Sequence, residues 1–144
     1  MSRIHENLDT GNLRASTSMR RQLEQFRSKV ALLTRDDRLL ITMYLDNGNS
    51  FRQISRLTGV NEVTISRRFE KIMHRLTNEY FDAAVKNRDK LSRRQMKIAR
   101  DYFLRGVSIR QLKTKYRMSY HQVYQILKSV RELNRNTSVK VRQY

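Results

Sequence analysis

The sequence has no cysteine, no proline and no tryptophan, only 4 glycines, and 13 acidic residues against 31 lysines and arginines. Without cysteine there is no disulfide and no thiolate metal site. Without proline, and with so few glycines, little interrupts helical stretches, so the chain suits an all-helical fold. No apolar run approaches the ~20 residues that cross a bilayer, and the first residues lack the apolar core of a secretion signal. A cytoplasmic, nucleoid-associated protein that meets no membrane is expected. The shortage of acids leaves a net charge of +18, so the expected partner is a polyanion.

One stretch organises the rest: Ser50 to Phe69, SFRQISRLTGVNEVTISRRF. Ser50 is placed to cap a short helix with Phe51, Ile54 and Leu57 on one face. Thr58-Gly59-Val60 makes a turn, with Gly59 where a left-handed backbone is easiest for a residue without Cβ. Asn61 caps a second helix, whose Ile65, Phe69 and Ile72 recur at i, i+4 and i+7 for burial. Two short helices joined by a tight glycine-containing turn form the unit that lays its second helix in the DNA major groove.

The stretch recurs 58 positions later without a gap. Arg35 aligns with Arg93, Tyr44 with Tyr102, Gly48 with Gly106, Ser50 with Ser108, and Arg52-Gln53 with Arg110-Gln111. The apolar positions match too: Leu40/Ile98, Leu45/Phe103, Phe51/Ile109, Ile54/Leu112, Val60/Met118, Ile65/Val123, Phe69/Leu127 and Ile72/Val130. Any two amphipathic helices can be slid into partial register, but the paired Gly, Ser and Arg-Gln are not core positions. The reading is a tandem repeat of one three-helix unit.

The expected architecture is all-α, with an N-terminal helix followed by two tandem trihelical helix-turn-helix units joined by a helical linker. Residues 1–17 read as a disordered basic arm. Residues 18–32 form an amphipathic helix striped by Met19, Leu23, Phe26 and Val30. The first unit spans 33–76, with Thr34 as an N-cap, Asp36 and Asp37 in the first turn, and Leu39, Leu40, Met43 and Tyr44 as its buried side. Residues 77–90 are the linker, either the end of one helix running to about Asn87 or a separate helix after a break at Thr77-Asn78. The second unit spans 91–135, with helices over 93–104, 109–115 and 120–134, and 136–144 is a flexible tail. The N-terminal stripe has three candidate partners: the first unit, the second unit, or a second copy of the chain in a homodimer. Charge is concentrated in residues 91–135, which carry twelve basic and two acidic side chains, against eight and five in 33–76.

Residues 33–76 resemble region 4 of bacterial sigma factors and the related helix-turn-helix of response-regulator output domains. The resemblance lies in Leu33-Thr34-Arg35-Asp36-Asp37-Arg38-Leu39-Leu40, in Ser50-Phe51-Arg52-Gln53-Ile54, and in Leu57-Thr58-Gly59-Val60-Asn61. It covers about a third of the chain, and the second unit is a weaker copy over another third. The 32 residues ahead of the first unit are too few for the separate promoter-melting domain of a full sigma factor. The resemblance therefore implies promoter-type binding of double-stranded DNA, with or without an RNA polymerase contact, rather than a complete sigma factor. The second unit departs from the first in carrying Arg117 where the first has Gly59.

With Val60, Ile65, Phe69 and Ile72 turned inward, Glu62, Val63, Ser66 and Arg67 occupy the outer face of the second helix, and the resemblance implies base contacts at the same four positions. Arg67 has the fork for guanine O6 and N7, Glu62 can accept from cytosine N4, and Val63 can meet a thymine methyl. The plainer account of Arg67 is phosphate contact or solvation. The equivalent residues of the second unit are Tyr120, His121, Tyr124 and Gln125. Gln125 suits adenine, while the tyrosines suit phosphate or sugar contacts, or packing within the protein. Arg52, Gln53, Arg56 and Arg68 in the first unit, and Arg110, Lys113, Lys115 and Lys128 in the second, are the expected phosphate anchors. His121 stands far in sequence from His5 and His74, so no metal and no cofactor is expected.

The leading expectation is a sequence-specific DNA-binding transcription regulator that is not an enzyme, with two half-sites ~34–36 Å apart if both units read bases. The alternatives are a sigma-like polymerase-binding factor that reads no bases, a structured-RNA-binding protein, and the DNA-binding part of a transposase or recombinase.

Overall fold

The computed structural model describes the backbone of residues 17–142 and the side chains of residues 17–135. The described residues are mostly helical, with no strand among them. Of the expected arm at 1–17, residues 1–16 lie outside the described residues, as do the side chains of 136–144, and Thr17 already belongs to the first helix. The chain packs as two compact units. One holds the described residues up to Ala31 together with Arg35–Phe69, and the other holds Leu32–Thr34 and everything from Glu70 onward. This division does not follow the sequence repeat. Leu33, Ile72 and Leu76, all inside the first repeat, are fully buried residues of the second compact unit.

The first compact unit begins with α1 (residues 17–25) and α2 (Arg27–Val30), separated by a single non-helical residue, Phe26. The predicted stripe is real, since Leu23 and Val30 are buried while Met19 and Phe26 are half-buried. Within the chain, these helices belong to the same compact unit as Arg35–Phe69. The Arg20 guanidinium lies 4.8 Å from the centre of the Tyr44 ring and donates to the Leu45 carbonyl at 3.4 Å, and Arg27 pairs with Asp46 at 3.0 Å. Helix α3 (Arg35–Leu45) buries Leu40, Ile41, Met43, Tyr44 and Leu45. Helix α4 spans Phe51–Thr58 and α5 spans Glu62–Leu76. Tyr44, Phe51 and Phe69 close into an aromatic triangle with ring centres 4.6 to 5.6 Å apart, a geometry in which tilted rings attract beyond simple burial.

Two leucines depart from expectation. Leu39, expected on the buried side of α3, is 55% exposed, and Leu57, expected on one face with Phe51 and Ile54, is 66% exposed. On helices this short, the stripe made by Leu40 and Tyr44, and by Ile54, already fills the space against the neighbours, and the flanking leucines are left outside.

The second compact unit contains α6 (Glu79–Lys86), a 3₁₀ turn (Arg88–Lys90), α7 (Arg93–Ala99) continuing as a π-helical turn through Arg100–Leu104, α8 (Ile109–Tyr116) and α9 (Tyr120–Arg142). The open question at Thr77-Asn78 resolves as a break. The Thr77 hydroxyl donates to the His74 carbonyl at 3.0 Å, and the Asn78 side chain accepts from the Tyr80 N–H at 2.8 Å, capping a new helix. That helix is more than a linker: α6 buries Phe81, Ala83 and Ala84 and packs along α9. Helix α9 also runs on to Arg142, where the sequence reading ended near 134, because no glycine or proline stands in its way. Arg131 on α9 lies 5.6 to 5.9 Å from the ring centres of Tyr80, Tyr102 and Phe103, a cation held over three aromatic faces.

The register of the repeat reappears in the hydrogen bonds. Asn47 N–H bonds to Thr42 O, as Arg105 N–H does to Arg100 O, both at 3.1 Å. Asn49 to Met43 O (3.0 Å) is matched by Val107 to Asp101 O (2.9 Å). Each pair is 58 residues apart and closes the same wide turn ahead of α4 and of α8.

Candidate nucleic-acid interface

In the first compact unit the Ser50 hydroxyl accepts from Gln53 N–H at 3.2 Å, and the Gln53 carbonyl oxygen accepts from Ser50 N–H at 2.8 Å. This capping box fixes where α4 begins. It also engages the carbonyl end of Gln53, a predicted phosphate contact. Arg52 and Arg56 stand exposed one turn apart on α4. The turn that follows is held at both ends. Gly59 is left-handed (φ 74°) and its N–H bonds to Ser55 O. The Thr58 hydroxyl donates to Ile54 O at 2.7 Å and accepts from Val60 N–H at 3.2 Å. The Asn61 side chain then accepts from Val63 N–H at 2.8 Å and starts α5.

On the first two turns of α5 the expected separation of faces holds. Ile65 and Phe69 are fully buried. Glu62, Val63 and Arg67 are exposed and Ser66 is half-buried. Val63, at 57% exposure, is an apolar side chain presented to solvent on an otherwise polar face. Arg68 is half-buried and lies 3.7 Å from the Asp37 carboxylate, so its charge is partly directed inward.

In the second compact unit the same devices recur with different residues. Ser108 and Gln111 form the box that starts α8. Ser119 and Gln122 form another that starts α9, where the first unit uses Asn61 alone. Arg117 occupies the place of Gly59 and is left-handed as well, at φ 52° and ψ 52°. Arg94 donates to the carbonyl of Tyr116 just before it. Val123, Leu127 and Val130 bury one side of α9. Tyr120, His121, Tyr124, Gln125 and Lys128 are exposed. The Tyr120 and Tyr124 rings lie nearly parallel, at 9°, with centres 6.3 Å apart. On α8, Arg110 and Lys113 are exposed. Ser108, Arg110, Gln111, Thr114 and Lys115 line a shallow, open depression of about 720 Å³.

One predicted phosphate anchor is already engaged. Asp101 is fully buried. Its carboxylate receives Lys115 Nζ at 2.7 Å, the Tyr116 hydroxyl at 2.6 Å and Arg100 at 3.1 Å, with Arg105 at 3.5 Å. Burial by itself would raise the Asp101 pKa, but the bonds from Lys115, Tyr116 and Arg100 outweigh it and hold the carboxyl below the usual carboxylate range. The same burial, with the bond to Asp101, pushes the Tyr116 hydroxyl up to about 12. Sequence reasoning missed this cluster. The available signal was that Asp101 aligns with Met43, a buried apolar position of the other repeat, and an acid there needs cations around it.

Among the described residues, no group of three or more His, Asp or Glu is placed to hold a metal, and no helix is long and apolar enough to cross a membrane. Comparison with protein families, with curated proteins and with solved structures finds no match to this chain.

Proposed function

We propose that the chain is a sequence-specific, double-stranded DNA-binding regulator of transcription, acting in the cytoplasm at the nucleoid and catalysing no reaction. The observation that carries this reading is the start of α5. A left-handed glycine turn and an asparagine cap hold Glu62, Val63, Ser66 and Arg67 outward while Ile65 and Phe69 anchor the opposite side. A helix presented this way is suited to base edges in a major groove. Arg52 and Arg56 on α4 supply backbone contacts, which position a protein without reading sequence. Arg110 and Lys113 do the same on α8, and residues 91–135 as a whole carry twelve basic side chains against two acidic ones, which concentrates phosphate attraction there.

Selection of bound duplexes from a random DNA pool at near-physiological salt tests the proposal. Enrichment of a defined motif is the expected result. Binding without enrichment, falling smoothly with salt, would sink it.

The exposure of Leu39 and Leu57 favours a second reading. Neither side chain can bond a phosphate, and both suit a protein surface, so the first unit would dock on a partner such as RNA polymerase. Tight polymerase binding without DNA sequence preference would favour that reading over the first.

A further inference from the structure

The two repeats present different chemistry at matching positions of their exposed helices. The first places Glu62 and Ser66 one turn apart, and the second places Tyr120 and Tyr124 there. Neither tyrosine is needed by the core: Tyr120 is 56% exposed and Tyr124 41%. Their rings are within 9° of parallel with centres 6.3 Å apart, so they form a stacked aromatic pair on the exposed flank of α9. Among the described residues neither hydroxyl has a hydrogen-bond partner, whereas that of Tyr116 is committed to Asp101.

The electrostatic setting is strongly one-sided. Of the two acids in residues 91–135, Asp101 is buried beneath its own cations, which leaves Glu132 as the exposed one. Lys128 follows Tyr124 by one turn, and Arg110 and Lys113 are exposed on α8, which packs on α9. His121 and Gln125 are exposed next to the two tyrosines in sequence, and both carry groups that bond base edges. Stacked aromatics beside mobile cations are the chemistry that holds unpaired nucleobases.

We infer that Tyr120 and Tyr124 form a stacking platform for an unpaired base of DNA, so that the second repeat favours an opened or distorted duplex over a perfect one. This inference rests on the nucleic-acid reading above. It assigns the tyrosines to the face of a base rather than to a phosphate or to the edge of a paired base.

The test uses the full chain and two DNA probes of one sequence at near-physiological salt. One is a perfect duplex. The other carries a central two-nucleotide bubble containing the fluorescent base 2-aminopurine. The bubble should bind about tenfold more tightly, the scale of one base stacked on an aromatic ring, and 2-aminopurine emission should be quenched on binding. Tyr120→Leu and Tyr124→Leu together should abolish the preference and the quenching, with bubble affinity falling about tenfold more than perfect-duplex affinity. Tyr120→Phe and Tyr124→Phe should retain both. Equal affinity for the two probes, or a preference that survives the leucine variants, would overturn the inference and leave the duplex-binding proposal standing. Binding to neither probe would remove both.

Discussion

The ammonium of Lys115 lies 2.7 Å from the carboxylate of Asp101, a side chain with no exposed surface. In the matching place of the other repeat stands Met43, also buried. One fold position therefore accepts either an apolar side chain or a carboxylate surrounded by cations. Removing the charge while keeping a polar shape is the worst exchange, because Lys115, Arg100 and Arg105 lose their counter-ion and a buried amide must find new partners. Asp101→Asn should cost about 2–4 kcal/mol in chemical denaturation. Asp101→Met should cost clearly less, because Lys115 is half-exposed and can turn to water while methionine restores the core found in the other repeat. If Met proves as costly as Asn, the cluster does more for the fold than neutralise one acid.

The same cluster sets the pH limits of stability. Asp101 is held below the ordinary carboxylate range, so the folded state binds its proton less readily than the unfolded chain does. Its contribution is fully present above the unfolded value of about 4 and is lost as the pH falls through the folded value. Tyr116 is shifted the other way, to about 12. Its contribution is complete below the unfolded value of about 10 and is lost as the pH rises towards 12. Melting temperature against pH should therefore fall at both extremes. Tyr116→Phe should flatten the alkaline arm, and Asp101→Met should flatten both.

Lys113 and Lys115 sit two residues apart on α8, but only Lys113 has its charge uncommitted to the protein. If both anchored phosphates equally, each alanine variant would lower the salt slope of DNA binding by about 1 with little change in folding. The bond to Asp101 predicts a division. Lys113→Ala should lower the slope and leave the melting temperature unchanged, whereas Lys115→Ala should lower the melting temperature and move the slope less. Salt titrations of binding alongside thermal melts separate the two.

Much of the fold was legible because helical burial follows spacing. Leu23, Ile54, Ile65, Phe69, Ile72, Leu112, Val123, Leu127 and Val130 are all buried as their periodicity requires, and the repeat in sequence returns as a repeat of backbone hydrogen bonds. What was not legible is of a different kind. Spacing identifies a face but not its width, so it places Leu39 with the core and Leu57 on the face of Ile54, and both stand exposed. Asn78 is a cap residue inside an apolar run, and the sequence does not say whether the run or the cap prevails. Nor does it show that Lys115 meets an acid fourteen positions earlier, since that depends on how α8 packs against the end of α7. On the candidate interface, the outward set on α5 was legible from the inward set, because on a helix each defines the other.

Gly59 and Arg117 show the same backbone turn made with and without a side chain. Both are left-handed, at φ 74° and 52°, and only glycine adopts that region without strain. Nothing lies within 4 Å of where a Cβ on Gly59 would stand, so the effect of Gly59→Ala should be backbone strain alone, a loss of about 1 kcal/mol. Arg117→Gly should move the opposite way, by up to about 1 kcal/mol, reduced by the greater freedom glycine gives the unfolded chain. If Arg117→Gly instead destabilises, the arginine side chain contributes to the fold.

Arg67 and Arg56 separate reading from anchoring within one unit. Arg67 is exposed on the second turn of α5 beside Val63 and Ser66, and Arg56 is exposed on α4; under the proposed function the first would face base edges and the second the phosphate backbone. Arg67→Ala should weaken binding to the selected motif by about 1–3 kcal/mol and relax preference at one base position, with little change for other sequences. Arg56→Ala should weaken all sequences alike and lower the salt slope by about 1. Both variants should fold normally, because neither side chain enters the core. Measuring both against the selected motif and a scrambled duplex gives four affinities at each salt concentration, and their pattern decides the matter. A uniform loss for Arg67→Ala would make it a second phosphate anchor and move base recognition to Glu62, Val63 and Ser66.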